Sequence, residues 1–167
     1  MAHQKNIIVA TFPEESKVYQ AFSEIKRLGA KREIAIDDLA IVRRGADGRL
    51  EMPDIASRPP IGSMAGGLIG SLIGILGGPI GILLGWGTGA LLGSLRDASE
   101  VRSDLGMLER LSAGMRTGEM ALMGEIGEER TSPVDNVVRR LGGEILRRPS
   151  EDVERDIAAA REAHART

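Results

Sequence analysis

Few side chains in this sequence are of types that act in catalysis or metal binding, and their spacing does not predict that they form one site. The acidic pairs Glu14-Glu15, Asp37-Asp38 and Glu128-Glu129 could bind a hard cation or transfer protons, although most such pairs are solvated loop charges. The two histidines, His3 and His164, lie near opposite ends of the chain, so a histidine metal site or catalytic dyad would require the ends to meet. The absence of cysteine excludes thiolate catalysis and cysteine-bound zinc. We therefore expect no catalytic residues, no metal and no cofactor, and a protein that is not an enzyme.

Glycine is the residue type whose spacing is most informative. Two series advance by four residues at each step, and they consist of Gly62, Gly66, Gly70, Gly74 and Gly78, and of Gly77, Gly81, Gly85, Gly89 and Gly93. A phosphate-binding loop is disfavoured because no Gly-Lys-Ser or Gly-Lys-Thr occurs and because a step of four is helical. Between the series, the glycines of Gly77-Gly78-Pro79 free the backbone and the proline interrupts the helix. The pattern predicts two helical arms joined by a turn at Gly77-Gly78-Pro79.

These glycines weaken a helix, so we expect them to serve packing between helices. Each interior glycine costs a helix roughly 1 kcal/mol relative to alanine, and about ten of them would offset most of a domain's stability. Close contact between helix backbones, as in small-xxx-small pairs, can compensate for this loss. A five-member stripe drifts roughly 160° around the helix axis, more than one partner helix can cover. We therefore predict that the ten glycines mediate helix packing and oligomerisation, with each arm contacting its sister arm and a neighbouring subunit.

The predicted hairpin is uncharged, because no charged residue lies between Arg58 and Arg96. A helix that is apolar on all sides belongs in lipid or in a deeply buried core. Arms of about 15 to 17 residues span roughly 22 to 25 Å, less than the roughly 30 Å of a bilayer's hydrocarbon layer. The flanking arginines favour a cytoplasmic base for the hairpin. We expect a membrane location with the polar domain on the cytoplasmic side; the alternative is a cytoplasmic protein.

The charge outside the hairpin is dense but nearly balanced. The chain carries 22 basic and 24 acidic residues, a net charge of -2, which lacks the electrostatic footprint of a general nucleic-acid binder. The expected partners are therefore further copies of the chain and a lipid bilayer, with no nucleic acid. A small-molecule ligand stays open. The segment Met1 to Lys5 precedes a strand-like run instead of a signal-peptide core, so we expect no secretory signal.

The first polar segment alternates strand and helix patterns. A β-branched run from Asn6 to Phe12 predicts a buried strand, and an apolar stripe from Val18 to Leu28 predicts a helix that ends at Gly29. The run Leu39 to Val42 predicts a second strand, and the turn residues Ala46 to Arg49 lead to a short strand around Leu50 to Met52. The stretch 30–38 fits either an extended helix or a strand, and the sequence leaves it open.

The second polar segment repeats this pattern after another helix. Apolar residues at helical spacing predict that helix between Val101 and Met115, followed by a strand within 119–128. Thr131-Ser132-Pro133 opens a helix, Gly142-Gly143 ends it, and a strand follows at Glu144 to Arg147. A final helix begins after Pro149 and presents Val153, Ile157 and Ala160 on one face.

Two β-α-β units, at 6–43 and 119–148, predict an α+β protein with a ferredoxin-like split β-α-β sandwich. The expected divisions are residues 1–58 for its first half, 59–96 for the glycine-zipper hairpin, 97–148 for its second half and 149–167 for a C-terminal helix. A small open sheet of another strand order is the alternative.

The chain resembles a prokaryotic family known as domain of unknown function 1269, described as predicted membrane proteins. The resemblance lies in the strand Ile7 to Phe12, the segment Ile36 to Arg43 with its Asp47-Gly48 turn, the glycine-rich hairpin, and the segment Leu141 to Leu146. It implies the same architecture but no reaction, ligand or catalytic residue, and it does not extend beyond Pro149.

Two functions fit these observations. The first is a non-enzymatic, self-associating structural protein, inserted in or associated with a membrane through its glycine-zipper hairpin. The second is a soluble homo-oligomeric binding or sensor module with the hairpins buried in a shared core. A ligand pocket at the sheet would favour the second.

Overall fold

The computed structural model describes residues 4–46, 50–57, 68–77 and 118–165. Within these residues the chain forms five strands and four helices, which confirms the α+β class. The elements are β1 (Gln4–Thr11), α1 (Glu15–Ala30), β2 (Ala35–Arg44), β3 (Leu50–Ser57), α2 (Leu68–Gly77), β4 (Met120–Glu128), α3 (Ser132–Arg140), β5 (Glu144–Pro149) and α4 (Ser150–Ala165).

The strands form one sheet in the order β3-β2-β4-β1-β5, and every neighbouring pair is antiparallel. The helix α1 connects β1 to β2, with β4 lying between those two strands. The helix α3 connects β4 to β5, with β1 between them. The three inner strands therefore bring residues from both ends of the chain into contact.

Both faces of the sheet are covered by helices, which makes three layers. Alternate residues of each strand point to opposite faces, so the central strands need apolar residues at every position. One face, called here the α1/α3 face, buries Ile8, Ala10, Leu39, Ile41, Leu122 and Ile126 against Val18, Phe22, Ile25, Val134 and Val138. The opposite α2/α4 face buries Ile7, Val9, Ala40, Val42, Ala121 and Met123 against Ile69, Leu72, Val153 and Ile157.

The second and third strands are longer than the sequence pattern indicates. The strand β2 begins at Ala35, inside the stretch 30–38 whose sequence fitted either a helix or a strand. Its pairing with β4 is irregular between Ile36 and Asp38. The strand β3 continues to Ser57 despite Pro53. Proline is tolerated there because β3 is an edge strand. The predicted helix between Val101 and Met115 lies outside the described residues.

The prediction that Gly29 ends the first helix is wrong. The helix α1 continues to Ala30, and Arg32 adopts the left-handed conformation with φ of 62°. The backbone N–H of Glu33 donates to the carbonyl of Leu28, which completes a Schellman motif around Arg32. Gly29 serves packing instead, because a Cβ atom there would lie 2.7 Å from Cδ1 of Ile36.

The pair Gly142-Gly143 ends α3 as predicted, and glycine suits each of the two positions for a different structural reason. Gly142 is left-handed, with φ of 76°, and the N–H of Gly143 donates to the carbonyl of Val138. A Cβ atom on Gly143 would lie 2.6 Å from the ring of Phe12 and 2.7 Å from the carbonyl oxygen of Thr11. The first glycine supplies a backbone conformation and the second supplies space.

Gly143→Ala is therefore expected to destabilise the protein by about 1–3 kcal/mol, because backbone atoms must move to admit the methyl group. Urea unfolding followed by circular dichroism measures the loss. Gly142→Asn is the matched control: asparagine tolerates the left-handed conformation, and the nearest neighbour of a Cβ atom there is Pro13 at an ordinary 3.7 Å. Equal effects of the two substitutions would contradict this assignment of roles.

Candidate functional site

The described part of the glycine-rich segment is α2, and it lies on the sheet. The helix contacts β2, β3 and β4, and on the same face it contacts α4. Ile69 is 3% exposed and Leu72 is 0% exposed, and their spacing of three residues places both on one side of the helix. Leu68 is partly buried against the same cluster. These apolar residues attach α2 to the polar frame of the protein.

The glycines of α2 lie on a different side of the helix from its attachment. Each residue advances about 100° around the axis, so Gly70, Gly74 and Gly77 lie roughly 110° to 170° from the middle of the side formed by Ile69 and Leu72. Gly70 is partly exposed. The frame therefore holds α2 through Ile69 and Leu72, and the helical repeat puts the glycine positions at other angles around the axis.

The other predicted packing glycines fall outside the described residues; they are Gly62, Gly66, Gly78, Gly81, Gly85, Gly89 and Gly93. The described part of α2 reaches Gly77, the first residue of the predicted turn, and Gly78 and Pro79 are outside the described residues. The ten residues of α2 are uncharged. No helix among the described residues is long and apolar enough to cross a membrane.

A group of polar side chains lies at one end of the α2/α4 face. Asp38 of β2 pairs in register with Glu125 of β4, and Ile7 of β1 pairs with both Glu125 and Arg148 of β5. Alternation places these charged residues on the face that buries Ala40, Met123 and Leu146. Two residues before Ile7 on β1, Nζ of Lys5 lies 2.6 Å from Oδ2 of Asp37. Of this group, only the pair Asp37-Asp38 was visible in the sequence, because strand register brings the other members to it.

Within this polar group, the carboxyl of Glu125 has a pKa that its surroundings shift. Burial raises the pKa of the Glu125 carboxyl, and the nearby carboxylates of Asp37 and Asp38 raise it further. The hydroxyl of Ser150 and the ammonium group of Lys5 lower it in part. Proton binding at Glu125 is therefore coupled to the packing of this end of the sheet.

A second polar group is buried on the α1/α3 face. The side-chain amide of Asn6 donates to Oε1 of Glu128 at 3.1 Å, and Nε of Arg147 donates to the same oxygen at 2.5 Å. Nη1 of Arg147 lies 2.9 Å from Oδ1 of Asp135. The Glu128 side chain is only 1% exposed. The group joins β1, β4, β5 and α3, and it stabilises the fold without forming an open site.

The acidic pairs singled out in the sequence lie in different parts of the structure. Glu128 and Arg147 belong to the buried group, and Arg148 points to the other face. Arg140 of α3 pairs with Glu24 of α1, and its hydrogen bond to the Glu24 carboxylate lowers the pKa of that group. In the described ranges no three histidine or acidic side chains are placed to hold a metal ion.

A cleft of about 390 Å³ lies where β1 ends and α1 begins. Its walls combine carboxylate and apolar side chains from two stretches of chain: Thr11, Phe12, Pro13, Glu14, Glu15 and Val18 from the first, and Gly118, Glu119 and Met120 from the second. This volume is within the usual range for small-molecule sites. The acidic pair Glu14-Glu15 thus borders a concave surface, which its sequence pattern did not indicate.

Comparison with known proteins gives no relative to guide the assignment. No protein-family model, no curated protein and no solved structure matches this chain. The resemblance to the domain 1269 family therefore stays an expectation from sequence. The features of the described residues that bear on function are the geometry of α2, the polar group around Glu125 and the cleft.

Proposed function

We propose that the chain is a non-enzymatic, self-associating structural protein in which an α+β frame presents a glycine-striped helical hairpin to other helices. The observation that carries this proposal is the orientation of α2. Ile69 and Leu72 attach the helix to the sheet, and the helical repeat puts Gly70, Gly74 and Gly77 at other angles around the axis. A stripe of small residues on a held helix offers a surface for close backbone contact.

The frame is proposed to be a ferredoxin-like split β-α-β sandwich. Two connections support this interpretation: β4 lies between β1 and β2, and β1 lies between β4 and β5. Both are split β-α-β units. In this scheme β3 is an additional edge strand, and the segment 58–117 that follows it includes the proposed hairpin.

Membrane association is proposed for the part of the hairpin beyond the docked helix. The segment between Arg58 and Arg96 has no charged residue, and a surface of that kind is stable in lipid or in a protein core. The arginines at its two ends fit a cytoplasmic base. The docking of α2 on the sheet limits how much of the first arm can enter a bilayer while the frame stays intact.

Fractionation of cells that produce the native chain tests the proposal. We expect the protein in the membrane pool, retained after carbonate extraction, and we expect a mass in mild detergent that is a multiple of 17.8 kDa. A strictly monomeric species in both pools would contradict self-association. An oligomer found only in the soluble pool would contradict membrane association and favour the alternative below.

The alternative is a soluble homo-oligomeric binding or sensor module whose hairpins are buried in a shared core. Two observations favour it: Leu72 is completely buried on the protein's own sheet, and the cleft beside Phe12 is large enough for a small ligand. Its acidic and apolar walls fit an organic cation. Spermidine is a suitable first probe, and calorimetric titration that loses its signal in Glu15→Gln would support this alternative.

A further inference from the structure

The sheet has two outer edges, and they differ in their capacity to pair with another strand. The edge strand β3 contains Pro53, which has no N–H group to donate, and its pairing with β2 shifts register between Ile41 and Arg43. Both features hinder association at an edge. The opposite edge strand β5 pairs with β1 without a register shift, and its only proline is its last residue, Pro149. Within the part of the chain that the structure describes, no strand lies on the outer side of β5, which leaves a row of backbone groups there for another strand.

The charged side chains of β5 divide between the two faces of the sheet. Arg147 points to the α1/α3 face, where the buried group around Glu128 neutralises it. On the opposite face, Glu144 and Arg148 lie four residues apart, with Leu146 between them. Within the described ranges, neither Glu144 nor Arg148 pairs with an opposite charge, and Nε of Arg148 makes no hydrogen bond. The open edge therefore carries one unpaired acid and one unpaired base on the same side.

Two antiparallel copies of β5 are complementary to each other in one register. A two-fold axis that relates them is perpendicular to the sheet, so directly opposite residues lie on the same face and at equal distances from a central residue. With Leu146 at the centre, Glu144 of each copy lies opposite Arg148 of the other. A centre at Ile145 or at Arg147 gives neither charge an opposite partner. Charge complementarity therefore selects the register centred on Leu146.

We propose that β5 is a homodimer interface, at which two copies of the chain join their five-stranded sheets into one sheet of ten strands. Backbone hydrogen bonds and two ion pairs between Glu144 and Arg148 hold the copies together. The two Leu146 side chains, each only partly buried in its own subunit, meet at the axis. On the other face, Ile145 lies opposite the aliphatic part of Arg147. The occupant of the edge is a second copy because the complementary charges come from the same strand.

The β5 interface is separate from the glycine stripe of α2, so it forms whether or not the stripe associates. If both contacts form, each subunit has two different self-complementary surfaces, and assemblies larger than a dimer result. This consequence, unlike the edge dimer itself, rests on the proposed function. Loss of the stripe should then leave a dimer, and loss of both surfaces should leave a monomer.

Charge reversal tests the edge dimer, in a full chain that carries Gly70→Leu to remove association through the stripe. Sedimentation should give a dimer for this parent chain. Glu144→Arg places like charges opposite each other at two positions, and so does Arg148→Glu, so each should raise the Kd of the dimer about tenfold or more. A mixture of these two variants should form a heterodimer, because every opposing pair again has opposite charges. Arg27→Glu is the matched control, an exposed residue of α1, which packs on β2 and β4, and it should keep the parent Kd.

Disulfide crosslinking gives a second measurement without Gly70→Leu, because the chain has no cysteine of its own. The double variant Glu144→Cys, Arg148→Cys should form a covalent dimer on mild oxidation, since directly opposite Cα atoms lie about 4.5 to 5.5 Å apart, within the reach of a disulfide. Along one strand the two positions are roughly 14 Å apart, which prevents a link within the chain. For the same reason neither single variant should give a covalent dimer.

Three results would each overturn the edge dimer: reversals that leave the Kd unchanged, a mixture that associates no better than its components, or equal crosslinking of the single and double variants. A Gly70→Leu chain that is monomeric would also overturn it. A Gly70→Leu chain that keeps the wild-type mass, and loses it on charge reversal, would support the edge dimer and contradict the stripe alone.

Discussion

Leu72→Ala is expected to reduce the free energy of unfolding by about 2–5 kcal/mol. The side chain is 0% exposed and packs among the strand residues of the α2/α4 face together with Val153 and Ile157. Its truncation leaves a cavity between α2 and the sheet, and the surrounding strands are too well packed to close it. Urea unfolding at one fixed protein concentration gives the loss, since association would otherwise contribute to the apparent stability.

The control for this prediction is Leu68→Ala in the same helix. Leu68 is only partly buried, so the same chemical change should cost distinctly less. A large difference between the two variants means that α2 is held on the sheet by one side. Equal and small losses would mean that Leu72 is not packed against the frame, and the proposed presentation of the glycine stripe would lose its support.

Glu128→Ala is expected to cost about 3–5 kcal/mol, because it removes one partner from a buried ion pair. Arg147 is 18% exposed and would keep only Asp135, and the side-chain amide of Asn6 would lose its acceptor. The buried amide of Asn6 and the partly buried guanidinium of Arg147 would then have unsatisfied hydrogen-bonding capacity. Equilibrium denaturation followed by circular dichroism measures the change.

Asp152→Ala is the matched control for the loss of an acid that pairs with arginine. Asp152 pairs with Arg155 one turn along α4, and the arginine side chain is 76% exposed. Exposed pairs of this kind contribute about 0–1 kcal/mol. If Glu128→Ala cost no more than Asp152→Ala, the buried group on the α1/α3 face would have no structural role.

Local sequence patterns were sufficient for the elements of the frame. The run Ile7 to Ala10 predicts a strand buried on both faces, and Thr131-Ser132-Pro133 predicts the start of α3, because propensity and burial agree in both places. They disagree at the end of α1. A glycine favours a helix cap, yet Gly29 lies inside the last turn of α1 close to the Ile36 side chain, and Arg32 takes the left-handed position instead.

The candidate sites depended on information that a linear pattern does not contain. Ile69 and Leu72 look like the other apolar residues of the hairpin, and only the tertiary structure shows that they bind the sheet. Glu125 and Glu128 lie three residues apart in one strand, so their side chains point to opposite faces of the sheet. Their partners Asp38 and Asn6 are far away in the sequence and are brought close by strand register.

We expect the glycine stripe of α2 to mediate self-association. Sedimentation velocity in solution and in mild detergent, on the wild type and on the variants Gly70→Leu, Gly85→Leu and Gly70→Ala, measures this association. We predict an oligomer for the wild type and Gly70→Ala, and dissociation for both leucine variants, because leucine prevents close backbone contact and alanine largely permits it. A monomeric wild type, or leucine variants that keep the wild-type mass, would contradict the account.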